Sequence, residues 1–336
     1  MRIAVLGAGA WGTTLADMLC RKGLPVRLWA REEDVVRSVN EDHENPSFLP
    51  GVKLCPELTA HSDPAAALQG AEAVLVVIPS QFLRRSLESL RGHLPERPVI
   101  VCASKGIEMD TLEPMSVVVE EALAGLSPRY AVLSGPSFAF EVARGMPTSV
   151  TLGCADRELG RSLREAFSTP AFRVYTSTDY RGVELGGAVK NVMAIAAGIA
   201  DGLGFGHDAR AALITRGLAE MSRLGVAMGA RAKTFMGLSG MGDLVLTCTG
   251  DLSRNRQVGL KLGQGMKLSE IMAGTRTVAE GVKTTEAMHA LAKKIGVELP
   301  ITEQVHRILH ADLPPAQAVK DLMARSLKDE HEEEEE

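Results

Sequence analysis

The residues Gly7-Ala8-Gly9-Ala10-Trp11-Gly12 follow a short apolar run, Ile3–Leu6, and open a stretch with helical periodicity. A G-x-G-x-x-G turn between a strand and a helix gives each glycine a task. Gly7 permits the tight turn, Gly9 lets the backbone approach a pyrophosphate, and Gly12 allows the helix to pack closely on the strand, while free N–H groups at the helix start favour the anion. A bare glycine-rich turn would need none of this context. The chain is therefore expected to begin with a dinucleotide-binding unit.

The remaining pattern extends that unit. Val26–Trp29, Ala73–Ile78, Val99–Ala103, Ala131–Leu133, Ser149–Leu152 and Arg173–Tyr175 read as further strands, most of them apolar throughout, as strands covered on both faces should be. From about Tyr180 onward only helical periodicity remains, over Gly182–Gly202, Ala209–Ala227, Thr277–Ile295, Ile301–Ala311 and Pro315–Ser326. The expected fold class is α/β. Residues 1–179 would form a Rossmann-type, mostly parallel sheet domain, 180–327 an all-helical domain, and 328–336 an acidic disordered tail.

Composition narrows the functions open to such a chain. The 336 residues suffice for two domains, and five scattered cysteines without a C-x-x-C pair suggest reduced thiols. The formal charge of −5 is a property of the tail, because Asp329–Glu336 holds seven acids and no lysine or arginine, leaving 37 lysines and arginines against 35 acidic residues elsewhere. A near-neutral body lacks the broad basic face that nucleic acid requires. Uninterrupted apolar stretches such as Ala73–Pro79 fall far short of the roughly 18 residues of a membrane span. Gly7, Gly9 and Gly12 break any signal-peptide pattern, so a cytoplasmic protein is expected.

Several polar residues stand out against apolar surroundings. Trp29-Ala30-Arg31 occupies the place where an NAD site usually carries an acid on the ribose; a guanidinium there suits a 2′-phosphate, which predicts a preference for NADP(H) with Arg31 as its reader. Glu32 and Glu33 keep NAD(H) possible. Lys105 lies just past a strand end, where open α/β sheets bind ligands. Within Leu133–Ala139, Ser137 sits at another strand end and is a candidate helix cap. Lys190 is an ammonium in an otherwise small and apolar helix, an expensive position unless it faces a partner or a cleft.

Two later clusters are Ser239–Leu244 and Asp251–Arg256. The second reads equally as an anion clamp and as a polar helix start capped by Ser253. Thr277–Gly281 resembles a helix start with Glu280 at its positive end. His306 and His310 are four apart, but no H-E-x-x-H pattern or nearby cysteine accompanies them, so no metal is expected. No G-x-S-x-G elbow suggests a serine nucleophile.

Together, G-A-G-A-W-G at 7–12, S-K-G at 104–106, S-G-P-S-F-A at 134–139, K-N at 190–191, G-D-L at 242–244 and S-R-N-R at 253–256 resemble bacterial NAD(P)-dependent glycerol-3-phosphate dehydrogenase over residues 1–325. That resemblance implies interconversion of dihydroxyacetone phosphate and sn-glycerol 3-phosphate, supplying the glycerol backbone of phospholipids. It implies Lys190 as the catalytic proton donor and acceptor. Lys105, Gly135, Ser137, Lys190, Asp243, Ser253, Arg254 and Asn255 would contact substrate, with Asn191 and Thr247 as neighbours. Gly7, Gly9, Ala10, Trp11, Gly12, Arg31, Lys105, Ala139, Arg254, Val278 and Glu280 would hold the cofactor, and a homodimer is expected from the class. The competing readings are a dehydrogenase of 2-keto or 3-hydroxy acids, and a non-catalytic dinucleotide sensor in which Lys105 and Lys190 would be idle.

Overall fold

Runs of valine, leucine and isoleucine with no polar alternation must be covered on both sides, and a parallel sheet with crossover helices provides that cover. The computed structural model describes residues 1–273, 280–327 and 329–330. Eight strands form one sheet: β1 Ile3–Leu6, β2 Val26–Trp29, β3 Thr59–His61, β4 Ala73–Val76, β5 Val99–Cys102, β6 Arg129–Ser134, β7 Thr148–Gly153 and β8 Phe172–Ser177. Their spatial order is β3-β2-β1-β4-β5-β6-β7-β8. The first six are parallel in the doubly wound order of dinucleotide-binding sheets. β7 then runs antiparallel to β6, with Val132 opposite Gly153, and β8 runs parallel to β7. The α/β, mostly parallel expectation holds, with β3 added and the reversal at β7 newly seen.

Alternation along each strand divides its side chains between two cores. In β1, Ile3 and Val5 join one face with Leu15, Leu28, Leu75 and Phe172, while Ala4 and Leu6 join the other with Val76, Leu83, Ile100 and Val118. A third core surrounds the helix Tyr180–Gly202, in which every residue from Gly182 to Ala200 is buried. A helix that is apolar all round belongs in an interior. This one is long and apolar enough to cross a membrane, yet its apolar window is wholly enclosed by the rest of the fold.

The helices His207–Ala227, Asp243–Thr249, Arg254–Gly263 and Glu280–Ile295 pack around it. Its tightest partner is Arg254–Gly263. A Cβ on Gly198 would come within 2.0 Å of the Arg256 carbonyl oxygen, and one on Gly202 within 2.3 Å of the Leu260 oxygen. Reciprocally, a Cβ on Gly259 would meet the Ile195 oxygen at 2.0 Å and one on Gly263 the Ile199 oxygen at 2.4 Å. Two glycine pairs spaced by four thus let the two backbones touch directly. Asp179 starts the central helix by accepting the Gly182 N–H, and its other oxygen accepts from the Arg231 N–H and the Thr234 hydroxyl. Val278 lies outside the described residues, as does most of the acidic tail.

Candidate active site

At the first turn, Gly7 adopts φ +113°, and a Cβ there would strike the Val77 carbonyl oxygen at 2.6 Å. A Cβ on Gly12 would come within 1.9 Å of the Gly7 oxygen, so its closest constraint is the turn itself, with the Val77 side chain next at 3.4 Å. Gly9 differs: a Cβ there would meet nothing within 4 Å. The protein itself does not require glycine at that position, whereas a pyrophosphate lying against the backbone would. Gly9 also precedes the helix Ala10–Arg21 without any side-chain cap, leaving the N–H groups of the first turn for an anion. These residues fit a dinucleotide.

Asn45, which the sequence did not single out, secures this turn from a neighbouring loop. Its buried amide donates to the Ala8 carbonyl at 2.9 Å and to the Thr13 hydroxyl at 2.8 Å. Trp11 packs beside Phe172, ring centroids 6.4 Å apart. Arg31 follows β2 with its side chain 83% exposed, paired with Glu32 at 2.8 Å. Ala139 opens the helix Ala139–Ala143, and its carbonyl accepts from Thr14 of the first helix.

The second group of residues converges on one carboxylate. Lys190, midway along the central helix, donates to Oδ1 of Asp243 at 2.6 Å and to the Thr247 hydroxyl at 2.9 Å. Lys105, beyond β5, donates to Oδ2 at 2.7 Å. Asp243 is 1% exposed at its side chain and Lys190 10%. Burial lowers the Lys190 ammonium pKa to about 8, the Asp243 charge opposing that shift and the Lys105 charge adding to it. Burial alone would raise the Asp243 carboxyl, but the two ammonium groups outweigh it and hold the acid below its ordinary range. Glu280 is raised by burial, with Arg254, Lys105 and Lys190 opposing. A lysine that titrates near neutral pH can donate or accept a proton.

The other candidates divide between structure and site. Ser253 caps the helix Arg254–Gly263, its hydroxyl accepting from the Arg256 N–H at 3.3 Å. Arg256 is buried between Asp201 and Asp251 and holds the fold together. Arg254 is exposed and makes no ion pair among the described residues. Asn255 accepts from the Gly281 N–H at 3.1 Å, joining this helix to the one that starts at Glu280. Ser137 is not the cap that its spacing suggested: Phe138 occupies the cap position, and the Ser137 hydroxyl donates to the Gly135 carbonyl at 3.0 Å. Ser134, beside it, keeps a buried hydroxyl with no partner among the described residues. Asn191 is buried next to Lys190. His306 stacks on His289 at 3.9 Å and lies 4.9 Å from His310, a packing arrangement across two helices.

A cavity of about 1060 Å³ opens elsewhere, lined by Arg97, Tyr130, Arg181, Glu184 and Lys294 but by none of Lys105, Lys190 or Asp243. Size does not make it the reactive centre, because its one deeply buried acid is already satisfied. Glu184 accepts from the Ser116 N–H and hydroxyl and from the Tyr130 hydroxyl at 2.7–2.8 Å. These bonds anchor the central helix to Ser116 and to Tyr130 of β6.

A family model described as the N-terminus of NAD-dependent glycerol-3-phosphate dehydrogenase matches residues 2–160, and one for its C-terminus matches 179–320. The chain belongs to the NAD-dependent glycerol-3-phosphate dehydrogenase family. Among its relatives, the glycerol-3-phosphate dehydrogenase (NAD(P)+) of Maridesulfovibrio salexigens is 63% identical over 330 residues, covering 98% of this chain and all of that one. That of Geobacter sulfurreducens is 55% identical, with 98% of each chain covered. The crystal structure of glycerol-3-phosphate dehydrogenase from Coxiella burnetii superposes with a TM-score of 0.92 at 44% identity, covering 96% of this chain and 99% of that one. Membership in the glycerol-3-phosphate dehydrogenase family agrees with the motif-based resemblance and disfavours a keto-acid enzyme or a sensor.

Proposed function

We propose that this chain interconverts dihydroxyacetone phosphate and sn-glycerol 3-phosphate with NAD(P)H, and that Lys190 is its proton donor and acceptor. The observation that carries the reading is the pair of lysines held on one buried aspartate, within a fold whose first turn fits a dinucleotide. The nicotinamide ring, when bound, supplies or takes up the hydride. As charge grows on the carbonyl oxygen, a nearby ammonium stabilises it and then delivers the proton. Lys190 does both in this reading, and the pKa of about 8 lets it run either direction near neutral pH. Asp243 and Thr247 orient its ammonium, and Lys105 helps hold the anionic substrate.

The phosphate is assigned to Arg254 and Asn255, with Ser253 setting the helix start from which they project. Gly135 and Ser137 would line the other side of the substrate. Arg31 is assigned to the adenosine end with a preference for NADP(H), and Val278 and Glu280 to the cofactor pocket. A division near residue 180, a homodimer, a cytoplasmic location and a role in making glycerophospholipid backbones complete the proposal. The test follows NADPH absorbance with purified protein and dihydroxyacetone phosphate, with NADH and unphosphorylated dihydroxyacetone run beside it. Rapid, phosphate-dependent oxidation is the expected result. Nucleotide binding without turnover of dihydroxyacetone phosphate would overturn the substrate assignment.

A further inference from the structure

The five cysteines were expected to be unremarkable reduced thiols, and all five are free and buried. Two of them nevertheless meet. Cys20 belongs to the last turn of the helix Ala10–Arg21, and Cys55 to the loop that precedes β3, 35 positions later. The side-chain donors of Cys20, Cys55 and Glu57 all lie within 4.8 Å of one another. The Cys55 thiol donates to Oε2 of Glu57 at 3.0 Å, and the Cys55 N–H is pinned to Asp17 at 2.6 Å.

We propose that Cys20, Cys55 and Glu57 form a binding site for a thiolate-preferring divalent cation such as Zn2+. Two sulfurs and one carboxylate oxygen suit a borderline-soft metal rather than Mg2+ or Ca2+. Metal bonds of about 2.3 Å to sulfur and 2.0–2.2 Å to oxygen place tetrahedral neighbours roughly 3.5–4 Å apart, so the present spacing needs little adjustment. Glu57 is exposed, which leaves the fourth position to water. The carboxylate also separates this site from a simple disulfide pair, which has no use for a third donor. Burial raises both thiols, Cys20 to about 12, so they are protonated until a cation displaces their protons. Binding releases two protons to solvent, forms two metal–sulfur bonds and one metal–oxygen bond in place of metal–water bonds of the hydrated cation, and transfers no electrons. The loop that supplies Cys55 also supplies Asn45, so the ion would tie the last turn of the helix to the same loop whose Asn45 holds its first turn.

The experiment titrates reduced, anaerobic, metal-free full-length protein with Co2+ and reads the sulfur-to-cobalt charge-transfer absorption. One equivalent should develop the band, and Cys20→Ser and Cys55→Ser should abolish it. Glu57→Gln is at the surface and safe for the fold; it should weaken binding by about tenfold or more, at least the effect of losing an outer partner. Zn2+ should raise the melting temperature of the wild type but not of Cys55→Ser. Cobalt uptake without the thiolate band, equal affinity in Glu57→Gln, or no uptake would overturn the proposal. Recovery of a Cys20–Cys55 disulfide from a protein that takes up no metal would overturn it in favour of a redox pair.

Discussion

Lys190 donates to Oδ1 of Asp243 at 2.6 Å, and that carboxylate opposes both the burial and the Lys105 charge that lower the lysine's pKa. Burial and Lys105 push its pKa down, and Asp243 opposes them, leaving it at about 8. In the direction of ketone reduction the protonated lysine is the active form, so kcat/KM should be constant at low pH and fall as pH rises through about 8. In the direction of alcohol oxidation the neutral lysine acts, and the profile should rise through the same value. Asp243→Asn removes the opposing charge, so both inflections should move to lower pH. Rate profiles in both directions check this, and an unmoved inflection would show that another group titrates. Lys190→Ala should lose roughly 10²–10⁴ in kcat while still binding nucleotide.

Gly9 and Gly12 should respond in opposite ways to the same methyl group. Gly9→Ala places its Cβ in open space at an ordinary φ of −64°, so the free protein should melt like the wild type. Its nucleotide affinity should fall by about tenfold or more, a loss of roughly 1.4 kcal/mol or above. Gly12→Ala forces a Cβ onto the Gly7 oxygen and should destabilise the free protein by about 1–3 kcal/mol. Thermal melts with and without NADPH separate the two effects.

Gly259→Ala tests the seam between the central helix and the helix Arg254–Gly263. Its Cβ would meet the Ile195 oxygen at 2.0 Å, so the helices must part, carrying Arg254 and Asn255 away from Lys190. A displacement near 1 Å can cost about 10² in rate, and kcat/KM should fall by that order even in protein that remains folded by circular dichroism. Gly206→Ala, where a Cβ meets nothing, is the matched control and should leave both properties unchanged.

Arg31→Ala should raise KM for NADPH with little effect on KM for NADH. The side chain is exposed and its one ion pair among the described residues is with Glu32, so stability should change by no more than about 0.5 kcal/mol. An unchanged ratio of the two KM values would remove Arg31 as the reader of the 2′-phosphate.

The sequence made the sheet legible wherever burial on both faces left an uninterrupted apolar run. It concealed β3, because Thr59–His61 is three residues long with two of them polar, and it concealed the reversal at β7, because an apolar run carries no direction. Lys190 was visible as an ammonium in an apolar helix, a chemical contradiction that a partner had to resolve. That partner, Asp243, lies 53 residues away in a short cluster without periodicity, and only the family resemblance pointed to it. Asn45 and Glu184 escaped notice for a related reason: a lone amide in a loop and a lone acid in a helix signal nothing until the fold brings their donors and acceptors together. The Ser137 cap failed because local spacing does not say which way a hydroxyl turns when a carbonyl two residues back is within reach.

The glycine seam between the two central helices also limits how such a protein can change over generations. At Gly198, Gly202, Gly259 and Gly263 the smallest possible addition already collides with the facing backbone. No single replacement can be absorbed by trimming a neighbouring side chain, since none lies in the way. Any sequence that keeps these two helices in backbone contact must therefore keep glycine at these four positions, whatever changes elsewhere.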